Sequence, residues 1–160
     1  MKSYGLSHLA DPTLLGALDA LDAQDRGTTA NLLAHLGEVD ARKLDLPAAY
    51  PSMYAYCVGH RKYSEDIAYK RIRAARSARR YPEIFTLLAG GRLQLSGIVL
   101  LAPYLMEGTA ADLLAAACDK TNAEIERVLA ARFPKPDVPT LVQPVAATSS
   151  TCQLAVRPVD

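Results

Sequence analysis

Apolar side chains recur every three or four residues along most of this chain, which is the spacing of an amphipathic α-helix. Leu14, Leu18 and Leu21 set the pattern near the start, and Leu32 and Leu36 continue it. No alternation of apolar and polar residues, which would indicate a half-buried strand, precedes residue 134. Half of the residues are apolar, with few β-branched runs, and 22% are charged, which excludes wholesale disorder. The sequence therefore predicts an all-α domain of about seven helices over residues 1–133.

Capping residues place several of the helix boundaries. Ser52 and Ser64 each precede a helical stretch and are expected to act as N-caps. Thr121 and Glu124 have the spacing of a capping box. In the first third, residues 26–29 (RGTT) predict a break between two helices, because glycine and β-branched threonine are weak helix formers.

The composition changes after Phe133. Half of the ten prolines lie in residues 134–160, together with a polar run at residues 148–151. This composition is typical of a linker. We predict that residues 134–160 form a flexible linker, or the truncated junction to a missing C-terminal module.

Charge is strongly segregated along the chain, although the net charge of the whole is only +1. Residues 1–50 carry a net charge of −3, residues 51–100 carry +6, and residues 101–160 carry −2. The density of positive charge is highest in residues 70–80, which contain six cations and no carboxylate. The middle third is therefore a candidate surface for an anionic partner.

Residues 64–80 drawn as a helix have alanines on one side and cations on the other. The apolar side consists of Ile67, Ala68, Ile72, Ala74, Ala75 and Ala78. Because it is mostly alanine, a neighbouring helix can approach it closely. The other side carries a row of Tyr69, Arg73, Arg76 and Arg80, with Lys70 further round. Arginine suits such a row because it forms bidentate hydrogen bonds with phosphate oxygens and with guanine edges.

A short helix at residues 52–59, a four-residue connection and the longer helix at residues 64–80 follow the order of a helix-turn-helix unit. The second helix of such a unit enters the DNA groove, and the connection lies beside the DNA backbone. We therefore predict non-catalytic binding of duplex DNA through Arg61, Lys62, Tyr69, Lys70, Arg73, Arg76 and Arg80. A single unit of this kind binds weakly, so a homodimer or a second domain is also expected.

A protein-interaction or oligomerisation module with no nucleic-acid role is the alternative. The acidic first third provides carboxylates that would neutralise the arginine row within the chain, or the row would meet the carboxylates of a partner protein. The DNA hypothesis requires that the guanidinium row face water without neutralising partners.

No residue pattern predicts catalysis, a metal site or a cofactor. The three histidines do not pair with each other or with a cysteine at ligand spacing. The three cysteines are odd in number and far apart, which is unlike a disulfide framework and fits a reducing compartment. No apolar stretch is long enough to cross a bilayer. We expect a cytoplasmic chain without catalytic activity, cofactor, metal or membrane contact.

Four segments carry a resemblance to known proteins: residues 32–44 (LLAHLGEVDARKL), 52–57 (SMYAYC), 64–82 (SEDIAYKRIRAARSARRYP) and 93–103 (LQLSGIVLLAP). Together, over about residues 10–140, they resemble the helical N-terminal region of bacterial HNH-endonuclease-type proteins. Residues 80–101, with GRLQLS at positions 91–96, are more loosely similar to the helix-turn-helix region of ParB-like partition proteins.

The HNH resemblance implies that a catalytic module follows the linker in a longer parent protein. The clustered histidine, asparagine and paired cysteine motifs of such modules do not occur in these 160 residues. The resemblance thus implies a DNA-binding accessory domain of a nuclease-type protein and no nuclease activity in this chain, and leaves open whether a longer parent is an HNH endonuclease.

Overall fold

The computed structural model describes residues 5–134, which contain seven α-helices, one short 3₁₀ helix and no strand. The helices are α1 (Asp11–Ala41), α2 (Met53–Gly59), α3 (Glu65–Arg80), α4 (Glu83–Ala89), α5 (Leu95–Leu101), α6 (Ala110–Ala117) and α7 (Asn122–Arg132), with the 3₁₀ helix at Ala102–Tyr104. The predicted all-α class is confirmed. The predicted linker at residues 134–160 lies outside the described residues apart from Pro134.

Side-chain caps begin three of the helices where the sequence predicted them. The Ser52 hydroxyl accepts a hydrogen bond from the Ala55 N–H at 3.1 Å, at the start of α2. Ser64 caps α3 in the same way, accepting at 3.3 Å from the N–H three residues further on. Thr121 and Glu124 form the reciprocal capping box of α7. The Ser64 cap fixes the start of α3, the helix that carries most of the predicted DNA contacts.

The predicted break at residues 26–29 is wrong, because α1 runs through it without interruption for 31 residues. At a rise of about 1.5 Å per residue, such a helix is about 46 Å long. Tertiary contacts on both sides of Gly27 hold the backbone helical: Arg26 packs against the loop glycine Gly91, and Ala30 is buried. An unfavourable residue preference of about 1 kcal/mol for one glycine is readily outweighed by such packing.

The central helix is α3, which packs against α1, α2, α4 and α5. Its buried side consists of Ala68, Ile72, Ala74, Ala75 and Ala78. The predicted close approach of a neighbouring helix is confirmed at Gly37 of α1, where an added Cβ would lie 3.3 Å from the Ala75 carbonyl oxygen. Ile67 was also expected on the apolar side, and this is wrong: it is 42% exposed. It lies at the edge of the buried arc, in the first turn of the helix.

The second half of the fold packs α5 against α3 and α7, and α6 against α7. Ile98, Leu101 and Ile125 are almost completely buried between these helices. None of the described helices combines the length and the apolarity that a membrane crossing requires. One continuous core thus supports α3 on several sides and leaves its basic side toward solvent.

Candidate interaction surfaces

Tyr69 and Arg73 lie next to each other on the solvent side of α3, one helical turn apart. The Tyr69 side chain is half exposed, and Arg73 is partly buried. The Arg73 guanidinium donates a hydrogen bond to the Tyr69 hydroxyl at 2.6 Å. No carboxylate of the described residues lies within ion-pair distance of Arg73. Its charge therefore remains unneutralised on this side of the helix.

Arg76 is paired with Asp40 near the end of α1. Its Nε lies 2.7 Å from Oδ2 of Asp40, and its Nη2 lies 3.1 Å from Oδ1, which is a bidentate arrangement. The hydrogen bond from Arg76 is the main reason that the pKa of Asp40 is lowered from its ordinary value. The same contact raises the pKa of Arg76. Arg76 is thus the most strongly neutralised of the predicted DNA contacts.

Two further predicted contacts also meet carboxylates. Arg80 Nη2 lies 3.2 Å from Glu107, and Lys70 Nζ lies 2.7 Å from Asp66, one turn earlier on α3. The expectation of an unneutralised guanidinium row is therefore wrong for Arg76 and Arg80. The reason is tertiary: the packing of α1 against α3, and the segment before α6, bring in carboxylates 36 and 27 residues away in the sequence.

Arg61 and Lys62 occupy the connection between α2 and α3, and both are exposed. Lys62 has a left-handed backbone conformation, with φ of 58°, which reverses the chain direction ahead of the Ser64 cap. The Arg61 guanidinium lies 6.0 Å from the ring centre of Tyr63. Neither cation has an ion-pair partner within residues 5–134. The order of helices expected for a helix-turn-helix is present, and its role in binding DNA stays a prediction.

Two open grooves meet at Tyr69 and Arg73. One, of about 490 Å³, is lined by the start of α2 and by α3. The other, of about 570 Å³, lies between α3, α5, the 3₁₀ helix and α7, and Leu100, Tyr104 and Phe133 contribute its apolar wall. Arg73 therefore offers a cationic hydrogen-bond donor at the boundary of the two grooves.

The first half of α1 makes a second surface, which stands apart from the core. Every residue from 11 to 25 is exposed, whereas Ala30, Leu33, Leu36 and Gly37 are buried against the rest of the fold. Four leucines lie in the exposed half, and we call them the leucine stripe: Leu14 (37% exposed), Leu15 (61%), Leu18 (54%) and Leu21 (62%). No other part of the described chain presents so many exposed leucines on one element.

The sequence predicts the helical spacing of these leucines but does not distinguish a core face from a free surface. One signal is visible afterwards: Asp25 and Thr28 occupy the positions that would continue the stripe between Leu21 and Leu32. An acid at that position interrupts the apolar face between the buried half of α1 and the exposed half. Asp40 and Glu107, the carboxylates that neutralise Arg76 and Arg80, carry no comparable signal.

Neither a metal-binding cluster among the described residues nor similarity to a known protein identifies a functional site. Within residues 5–134, no cluster of three histidine, cysteine or carboxylate side chains could hold a metal ion. Comparison with protein-family models, curated proteins and solved structures finds no match. The HNH-type and ParB-like resemblances therefore stay predictions, and the two surfaces described above carry the functional argument.

Proposed function

We propose that this chain is a helical protein-interaction module and that the leucine stripe is its contact surface. The observation that carries the proposal is the exposure of Leu14, Leu15, Leu18 and Leu21 on a helical segment, residues 11–25, none of which is buried. Contiguous exposed apolar surface on a helix is typical of a site that a partner covers.

Covering the stripe contributes a substantial part of the free energy that a specific complex needs. Complete burial of a leucine side chain contributes about 2 kcal/mol, and these side chains are roughly half exposed, so each has about 1 kcal/mol still to gain. The four together provide about 4 kcal/mol, which corresponds to about a thousandfold in affinity. An isolated helix of fifteen residues is marginal in water, so a partner would also stabilise this half of α1.

A photo-crosslinking residue placed at position 21 tests the proposal in cells of the source organism. We expect Leu21 replaced in this way to yield discrete crosslinked protein products, which mass spectrometry identifies. The control position is Leu46, a leucine of similar exposure (57%) outside α1, which should not yield the same products. If positions 21 and 46 give the same products, or position 21 gives none, the proposal is wrong.

DNA binding is the second candidate, and one observation favours it: Arg61, Lys62 and Arg73 have no carboxylate partner among the described residues. These three cations, with Tyr69, are the part of the predicted DNA surface that could bind phosphates without first breaking an ion pair. Arg76 and Arg80 would first exchange their carboxylates for phosphates, and so contribute less. Surface ion pairs of this kind are individually weak, so the exchange is feasible. The narrower role, as an accessory domain of an HNH-endonuclease-type protein, is supported by the sequence resemblance alone.

Titration of random duplex DNA across a salt series tests the second candidate. The logarithm of the binding constant should fall with the logarithm of the salt concentration, by about 0.9 for each phosphate neutralised. Arg73→Ala should reduce the magnitude of that slope by about 0.9, the contribution of one phosphate. Lys120→Ala, an exposed cation outside α2 and α3, should leave it unchanged. Absence of duplex affinity at low salt would exclude DNA as the ligand of this surface.

A further inference from the structure

We infer that the partner of the leucine stripe is an amphipathic helix with lysine or arginine beside its apolar face. This inference rests on the proposed function and adds the chemistry of the partner. It is carried by the charges that surround the stripe. Residues 11–29 contain four aspartates and a single cation, Arg26, at the inner end of the exposed half.

The four aspartates are Asp11, Asp19, Asp22 and Asp25. None of them forms an ion pair with another described residue, in contrast to Asp40 and Glu38 at the other end of α1. Arg26 lines a groove together with Asp22 and Asp25 but forms no ion pair with them, and its Nε lies next to Gly91. The exposed half of α1 therefore presents carboxylates without ion-pair partners beside the leucines.

Three of the four aspartates lie within the arc of the leucine stripe. At 100° per residue, the four leucines span an arc of about 120°, from Leu21 to Leu15. Asp25 lies close to Leu18, and Asp11 and Asp22 lie between Leu18 and Leu15. The flank beyond Leu21 consists of Ala17 and Gln24, which are uncharged. A covering helix therefore meets carboxylates on the Leu15 side of the stripe and uncharged side chains beyond Leu21.

A second copy of the chain fits this arrangement poorly. In an antiparallel pair of helices, equivalent flanks meet, so the aspartates of one copy would face those of the other. In a parallel pair, the acidic flank would meet Ala17 and Gln24, and no carboxylate would gain a cation. Charges flanking an apolar seam set partner choice between helices, and like charges disfavour pairing. A helix with basic flanks satisfies the aspartates and covers the leucines at once.

Two synthetic helical peptides test the inference against the full 160-residue chain. Both have leucine at the a and d positions of three heptads, and their flanking positions are all lysine in one peptide and all glutamate in the other. We expect fluorescence anisotropy to show that the lysine peptide binds at least about tenfold more tightly than the glutamate peptide. Sedimentation of the chain without peptide is expected to show a monomer.

Variants locate the binding. Leu18→Ser with Leu21→Ser should weaken lysine-peptide binding by about tenfold or more, since two of the four stripe leucines are lost. Asp22→Asn with Asp25→Asn should remove much of the preference for lysine over glutamate. Leu46→Ser, at an exposed leucine outside the stripe, should change neither. Circular dichroism confirms that each variant keeps its helical content.

The remaining outcomes separate the partner chemistry from the proposed function. Equal, stripe-dependent binding of both peptides overturns the basic partner and leaves the interaction function in place. Self-association of the chain that depends on the stripe leucines also overturns the basic partner and keeps the interaction function, with a second copy of the chain as the partner. Failure of both peptides to bind a monomeric chain overturns both proposals. Lysine-peptide binding that survives the Leu18 and Leu21 substitutions is binding elsewhere, and it also overturns the inference.

Discussion

Two leucine-to-alanine substitutions in α1 should have very different effects on the stability of the chain. Leu33 is completely buried, and Leu18 is 54% exposed on the half of α1 in which no residue is buried. Leu33→Ala leaves a cavity and loses apolar contact, and is expected to cost about 3 kcal/mol of unfolding free energy. Leu18→Ala removes little buried surface, and alanine is an excellent helix former, so the expected cost is about 0.5 kcal/mol or less.

Urea denaturation followed by circular dichroism measures the difference. With a denaturant slope of about 2 kcal/mol per molar, the midpoint should fall by roughly 1.5 M for Leu33→Ala and by roughly 0.2 M for Leu18→Ala. The slope itself should be unchanged in both variants, which shows that the two-state comparison is valid. If the two midpoints fall equally, the leucine stripe is part of the core and is not a surface that a partner covers.

Three further substitutions test the fold around α3 and α7. Gly37→Val should lower the urea midpoint by the equivalent of about 2 kcal/mol, because an added Cβ already lies 3.3 Å from the Ala75 carbonyl oxygen; an unchanged midpoint would contradict the close packing of α1 on α3. Asp40→Asn should remove a contribution to the free energy of unfolding. In the wild type this contribution is fully present above the pKa of the carboxyl in the unfolded chain, and it is lost as the pH falls through the lower pKa of the folded chain. In denaturation at a series of pH values, the wild type and the variant should therefore differ by a constant amount near neutrality and converge only well below pH 3.8, the ordinary pKa of the carboxyl; a pH-independent difference would exclude a contribution from the Arg76 ion pair. Thr121→Ala should lower the unfolding free energy by about 1 kcal/mol in thermal melts, and no change would show that the capping box does not contribute to stability.

Local features of the fold are predicted well from the sequence, because their causes are local. The caps at Ser52, Ser64 and Thr121 depend on a side chain and a backbone N–H three residues away. The separation of alanines from cations on α3 depends only on helical geometry. The break expected at Gly27 fails because contacts with distant residues, including Gly91, hold α1 helical through that region.

The candidate surfaces are less predictable, because they depend on what the fold brings together. Arg73 and Arg76 lie about 60° apart on one side of the helical wheel, yet only Arg76 has Asp40 beside it. That difference is set by the packing of α1 on α3, and neither segment indicates it alone. Leu18 and Leu33 likewise belong to one helix with one spacing, and only the tertiary structure shows that the first is exposed and the second buried.

Amide hydrogen exchange of the full chain shows which part of α1 is held by the core, because it reports where a helix is stabilised by packing. In the chain alone, the amides of residues 15–25 should exchange much faster than those of residues 33–41, since only the latter half is anchored to the core. Addition of the lysine-flanked peptide should slow exchange in residues 15–25 and leave the rest unchanged. Equal protection of both halves in the chain alone would show that residues 15–25 are anchored to the core and that the leucine stripe is not a free surface.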